Sequence, residues 1–213
     1  MHKQEKKVGL FHDILLNRIY VNGTINGLYS NINFIQEYFN NTRKKVDINY
    51  GFPISEKRVV KLYRIETNNG IIETEVNRNQ FEQKTDIFSI TNGYIKPNNK
   101  CIIAINYDEE LICKERKICL IIPVSIGVKN YTDTVLDKRG SVEILKIMPP
   151  VINAELPYRF YLELEINTET PYNNVYSPTH EIDIDKKSDK KFIVTLKNFD
   201  IIPDTDFVIE YSI

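Results

Sequence analysis

The sequence predicts an all-β protein, an antiparallel β-sandwich followed by a second, smaller β-sandwich-like region. Three observations carry that reading. Short runs of β-branched and aromatic residues succeed one another along the chain, each ended by Asn, Gly, Pro or Asp, which is how strands punctuated by turns look. Apolar residues at helical spacing are nearly absent. Tyr158 to Ile166 alternates sharply, with Tyr158, Phe160, Leu162, Leu164 and Ile166 against Arg159, Tyr161, Glu163 and Glu165, as in a half-exposed antiparallel strand. A length of 213 residues with 42% apolar content suffices for a sizeable core.

In chain order, Ile19 to Asn22 and Leu28 to Phe39 form the first strand pair, with Asn22-Gly23 and Asn26-Gly27 as hairpin-type turn signals. Val46 to Phe52 is the next strand, closed by Pro53. Val59 to Glu66 follows, ended by Asn68-Asn69-Gly70, and Ile71 to Asn77 returns as its hairpin partner. Asp86 to Thr91, the Asn92-Gly93 turn and Lys100 to Tyr107 read as another pair, the second strand apolar on both faces and therefore central. Glu115 to Pro123 ends the first unit. Beyond the polar stretch around Asp137-Lys138-Arg139-Gly140, the strand candidates are Val142 to Met148, Tyr158 to Asn167, His180 to Ile184, Lys191 to Leu196 and Asp206 to Ile213. These runs divide the chain into a first domain over 8–131, a linker over 132–140 and a second β-rich region over 141–213.

Composition narrows the function classes. A net charge of −1 gives no overall drive toward nucleic acid or an anionic membrane. No segment approaches the roughly 20 apolar residues that span a bilayer. The apolar run from Val8 to Leu16 is interrupted by Gly9, His12 and Asp13, unlike a secretory leader. Cys101, Cys113 and Cys119 form no CxxC pair, and Cys101 and Cys119 fall in apolar alternating runs, so free thiols and a reducing, cytoplasmic compartment are expected. Asn22-Gly23-Thr24, Asn40-Asn41-Thr42 and Asn130-Tyr131-Thr132 match the glycosylation pattern, which an Asn-rich chain produces by chance.

His180, Glu181, Asp183 and Asp185 gather one imidazole and three carboxylates, but a strand turns His180 with Ile182 and Ile184 away from the three acids. Successive acids there lie about 7 Å apart, so an exposed acidic face is expected rather than a metal site. Asp108-Glu109-Glu110 lacks a neighbouring His, Lys or nucleophile and reads as a solvated strand end. Arg43-Lys44-Lys45, Lys186-Lys187 and Lys190-Lys191 read as solvated turns. Tyr29, Tyr38, Tyr50, Tyr63 and Tyr94 lie on or near strands and serve as core or as interface anchors. No catalytic, cofactor-binding or metal-binding residue is assigned.

One stretch does more. Tyr50-Gly51-Phe52-Pro53-Ile54-Ser55, preceded by Leu28 to Asn40 and followed by Val59-Val60-Lys61-Leu62, resembles the vault protein inter-alpha-trypsin (VIT) domain. Phe88 to Pro97 is similar to that family's segment with a Phe, a turn and G-x-I-x-P, and Ile103 to Leu111 to its strand ending in Y-x-E-x-L. Ile118 to Pro123 with Tyr131 resembles the closing strand. Tyr176-Ser177-Pro178-Thr179-His180 and Asp204 to Ile209 resemble the segment joining a VIT domain to a von Willebrand factor A domain. Two departures stand out: Glu75 to Thr85 is short and polar where the family has a helical insertion, and no Asp-x-Ser-x-Ser signature occurs in the 213 residues. The resemblance implies a non-catalytic interaction and scaffolding module with a protein partner, no cofactor, and a place as the N-terminal part of a larger VIT/von Willebrand factor A protein. The alternative is a cell-surface adhesin or carbohydrate-binding β-sandwich. On this reading the chain is not an enzyme.

Overall fold

The computed structural model describes residues 14–48, 50–76, 87–90, 93–124, 159–200 and 205–213. These form strands β1 (Ile14–Asn26), β2 (Tyr29–Asn40), β3 (Val46–Asp47), β4 (Tyr50–Pro53), β5 (Arg58–Thr67), β6 (Gly70–Glu75), β7 (Ile87–Ile90) and β8 (Tyr94–Ile95). They continue as β9 (Lys100–Glu110), β10 (Ile112–Lys114), β11 (Lys117–Ile122), β12 (Arg159–Asn167), β13 (Asn173–Tyr176), β14 (Ile182–Ser188), β15 (Lys191–Leu196) and β16 (Phe207–Ser212). The all-β fold class is as the sequence predicts.

An eight-stranded sheet runs β14-β15-β12-β1-β2-β9-β5-β6, and a four-stranded sheet runs β10-β11-β16-β13. Two ribbons, β3-β8 and β4-β7, complete the pairing. Alternation does the sorting: in β12 Phe160, Leu162, Leu164 and Ile166 are buried, and in β2 Ile32, Phe34 and Tyr38 are. The small sheet answers with Leu120, Ile122, Phe207, Ile209 and Tyr211. These residues, with Phe52 and Phe88 from the ribbon, make one continuous core.

The β1–β2 hairpin turns at Gly27-Leu28, where Asn26 pairs with Tyr29 and Gly27 takes φ 59°. Asn22-Gly23, read from sequence as a turn, lies inside β1, where Asn22 pairs with Asn33 and Gly23 with Ile32. Glycine is needed there for close approach: a Cβ at Gly23 would sit 2.5 Å from Ile32 Cδ1 and 2.6 Å from the Asn31 carbonyl oxygen. The strand over Asp86 to Thr91 was expected to pair with Lys100 to Tyr107. Instead β7 pairs with β4, Phe88 opposite Phe52, while β9 lies between β2 and β5.

β12 alternates as expected but runs parallel to β1, Arg18 opposite Arg159 through Asn26 opposite Asn167, and is antiparallel only to β15. The expected strand Val142 to Met148 and the expected linker 132–140 lie outside the described residues. Strands from both sides of that interval share sheets, β12 joining β1 and β16 joining β11.

Candidate functional site

The outward face of the large sheet presents an ordered set of side chains. Alternation along β1 turns Arg18, Tyr20, Asn22 and Thr24 away from the core, and alternation along β12 does the same for Arg159, Tyr161, Glu163 and Glu165. Register then sets Tyr20 beside Tyr161, their ring centroids 5.8 Å apart. Phe199, just past β15, stacks on Tyr161 at 5.5 Å with the planes 17° apart. It is held there through its backbone, whose carbonyl accepts a 2.9 Å hydrogen bond from the Phe160 amide. Tyr20 is 41% and Phe199 47% exposed, so the row is rigid yet open to solvent. Across β2 and β9 it continues as half-buried Ile35 and Ala104.

Charged groups border the rings. The Arg18 guanidinium lies 5.9 Å from the Tyr161 centroid, and Arg159 pairs with Asp200 at 3.5 Å. Burial works against the Glu37 carboxylate, but the hydrogen bond and charge of Lys100, with the charge of Arg18, hold its pKa below the usual carboxylate value. On the other flank runs an amide ladder. Asn33 Nδ2 donates to Asn22 Oδ1 at 2.9 Å, Asn106 Nδ2 to Asn33 Oδ1 at 2.8 Å, and Asn31 Nδ2 to Asp108 Oδ1 at 2.7 Å. Lys61 closes it on Asp108 at 3.0 Å. Such a surface offers aromatic area at little entropic cost, with directional donors at its border.

Behind this face Arg58 joins the layers. Its guanidinium is bidentate on Glu109, donates to the carbonyls of Pro53 and Ile121 at 3.1 Å each, and lies 4.8 Å from the Tyr107 centroid. Glu109 is therefore not solvated as the sequence suggested, since β9 turns it inward. Asp108 joins the outer ladder and Glu110 is exposed. The three acids share no site.

The acids of 181–185 also part as their alternation requires. β14 exposes Asp183 and Asp185, while His180 precedes the strand with its ring packed on Phe160 and Phe207 and Nδ1 2.8 Å from Thr179 Oγ1. Among the described residues no group of three or more His, Cys, Asp or Glu is placed to hold a metal ion. The basic clusters are largely ion-paired: Lys45 with Asp47, Lys186 with Asp189, Lys187 with Asp185, Lys191 with Glu165. Cys101 is buried and its thiol is pushed up to about 12 by burial, Cys119 is half-buried, and Cys113 is exposed. Of the tyrosines expected as core or anchors, Tyr38 and Tyr50 are core and Tyr29 is exposed, whereas Tyr63 and Tyr94 are half-buried. The exposed rings that do cluster were missed as a set. Tyr161 was legible as outward-facing from its strand, but Tyr20 and Phe199 reach it only through the β1–β12 register.

Residues 16–85 match the family model of the Vault protein inter-alpha-trypsin domain. This VIT match covers most of β1 through β6 and includes the Tyr50 to Ser55 stretch. No curated protein matches the sequence. In fold the chain is similar to a Legionella pneumophila protein named for nutrient binding, at 9% identity and a TM-score of 0.53, covering 94% of this chain and 67% of that one. It is also similar to an M1 zinc metallopeptidase from Deinococcus radiodurans, at 7% identity and a TM-score of 0.49, over 93% of this chain and 42% of that one. Legionella pneumophila aminopeptidase A matches at 13% identity and a TM-score of 0.48, over 94% of this chain and 21% of that one. At such identities the likeness concerns the fold alone.

These neighbours correct the expectation that the chain is not an enzyme. That expectation rested on the lack of a coherent catalytic set in one β-rich sequence. Among the weakly similar folds are peptidases, in which the matched part is a minor share of the length. Among the described residues no helix is long and apolar enough to cross a membrane.

Proposed function

We propose that the module binds a folded protein partner on the outward face of the large sheet, with Tyr20, Tyr161 and Phe199 as anchors. The observation that carries this is the row itself: Tyr20 and Phe199 each within 6 Å of the Tyr161 ring, both more than 40% exposed, positioned by strand register and a backbone hydrogen bond. Exposed, rigid aromatic clusters next to arginine have the composition of interface hot spots. We further propose that the VIT segment serves as the N-terminal part of a larger protein leading into a von Willebrand factor A domain. The VIT match and the likeness of Tyr176 to His180 and Asp204 to Ile209 to the joining segment of such proteins support that reading. Free Cys101, Cys113 and Cys119 support a reducing, cytoplasmic setting.

The test is photocrosslinking in the native cell with a photoreactive phenylalanine at position 199, followed by titration of the identified partner in purified form. Tyr20→Ala or Phe199→Ala should weaken that partner about tenfold or more, as truncation of a hot-spot ring does, and Tyr176→Ala on the small sheet should not. Equal affinity of all three variants overturns the proposal. So does a glycan ligand bound through the same rings with no protein partner.

A further inference from the structure

Among the described residues the eight-stranded and four-stranded sheets have four open edges between them, and three carry protection against pairing. β14 exposes Asp183, Asp185, Lys186 and Lys187 and has a register irregularity between Lys186 and Ser188. β10 spans Ile112–Lys114 only, and β13 is irregular between Asn173 and Tyr176. Charges, bulges and short length all discourage strand addition. β6 differs: it is a regular strand, Gly70–Glu75, without proline, lysine or bulge, and its charges are of one sign, Glu73 and Glu75.

The register shows which groups β6 leaves open. It pairs with β5 from Thr67 opposite Gly70 to Leu62 opposite Glu75, and next to that pair Val76 N donates to the Lys61 carbonyl at 2.8 Å. Antiparallel pairs alternate between bonded and non-bonded, so Ile72 and Thr74 bond to β5 while Ile71, Glu73 and Glu75 turn their amides and carbonyls to the free edge. The side chains of these three residues lie on the outward face, all exposed. Their charge is poorly compensated: Arg64 is 3.9 Å from Glu73 but bonds Glu66 at 2.7 Å, and Glu75 forms no ion pair among the described residues. Beside the edge, Ile65, Ile71, Ile72, Gly93 and Tyr94 line a pocket of about 200 Å3.

We propose that β6 is a strand-addition site for an extended peptide that carries Lys or Arg at alternate positions, facing Glu73 and Glu75. An intervening apolar side chain on the opposite face of the peptide enters the pocket beside Ile72. Backbone bonds at three open residues supply affinity, and the two acids choose the ligand. This stands independently of the aromatic face, which lies across β1, β12 and the segment after β15.

The test is backbone amide hydrogen exchange by NMR on the full chain, with and without a capped hexapeptide alternating valine and lysine. Saturating peptide should slow exchange at Ile71, Glu73 and Glu75 by at least tenfold and change Ile72 and Thr74 little. Glu73→Lys with Glu75→Lys should lose that peptide and accept the valine–glutamate counterpart. Ile71→Pro removes a donor that the β5 ladder does not use, and should weaken either peptide while leaving the melting temperature nearly unchanged. The proposal is overturned by unchanged exchange at millimolar peptide, or by equal protection from both peptides. Protection already present without peptide would show the edge covered by the chain itself, and protection that grows with protein concentration would show a second copy there; either result overturns it.

Discussion

Arg58 is the residue whose loss should cost most. Its side chain is 8% exposed and that of Glu109 14%, so neither charge can turn to water if its partner leaves. Arg58→Ala also strands two backbone acceptors in two different elements, Pro53 in β4 and Ile121 in β11. Breaking a buried pair from one side costs about 3–5 kcal/mol, and the urea midpoint of Arg58→Ala should fall accordingly. Replacing both partners with apolar residues of similar volume should cost clearly less. Glu37 gives the pH test. Its folded pKa is lowered by Lys100 and Arg18 against the opposing effect of burial, so its contribution is present above the unfolded carboxylate pKa and is lost as pH falls through the folded value. Glu37→Gln should therefore be less stable than the parent at pH 7, and the two denaturation midpoints should converge in acid. A difference that persists unchanged below both pKa values would count against the pairing.

At the scale of elements, the two Asn-Gly pairs of the first hairpin show where sequence reading stops. Both carry the same turn chemistry, but Gly27 sits at φ 59° in the turn and Gly23 in the strand, and only the packing of Ile32 against Gly23 tells them apart. Gly23→Ala should therefore destabilise by about 1–3 kcal/mol through overpacking, read as a lower melting temperature without loss of β-sheet circular dichroism. Strand existence was legible because side-chain alternation is local: Phe160, Leu162, Leu164 and Ile166 are buried as the pattern of β12 predicts. Strand direction was not, since a period of two is the same in parallel and antiparallel ladders. The exchange of partner between β7 and β9 was hidden for the same reason, as apolar runs do not name their neighbours. The aromatic site fell in this gap. Tyr20 and Phe199 look unremarkable in their own segments and acquire meaning only when β1 and β12 pair.

At the scale of the whole molecule, strands from the first 131 residues and the C-terminal strands share both sheets. The VIT match ends at residue 85, but β12 covers an edge of β1 and β16 covers an edge of β11. A chain cut after Tyr131 would present both edges to solvent and lose Phe160, Phe192, Phe207 and Tyr211 from the common core. Such a fragment should fail to unfold cooperatively in urea and should aggregate, and adding residues 141–213 in trans should restore a sigmoidal transition. A cooperative, monomeric fragment 1–131 would show instead that the first region folds alone.

The parallel pairing of β1 with β12 also sets an order in time. The side chains of Asn26 and Asn167, hydrogen bonded at 3.0 Å, are 141 residues apart. A contact of that span closes late, because the loop entropy must be met before the pairing rewards it. During synthesis at roughly 5–20 residues per second, the ribosome therefore leaves β1 open on one side for several seconds while β2, β9 and β5 are already available to it. Nascent chains on neighbouring ribosomes meet in that interval with matching unfilled edges, so the yield of native protein should depend on translation speed and on chaperones that occupy β1 before β12 arrives.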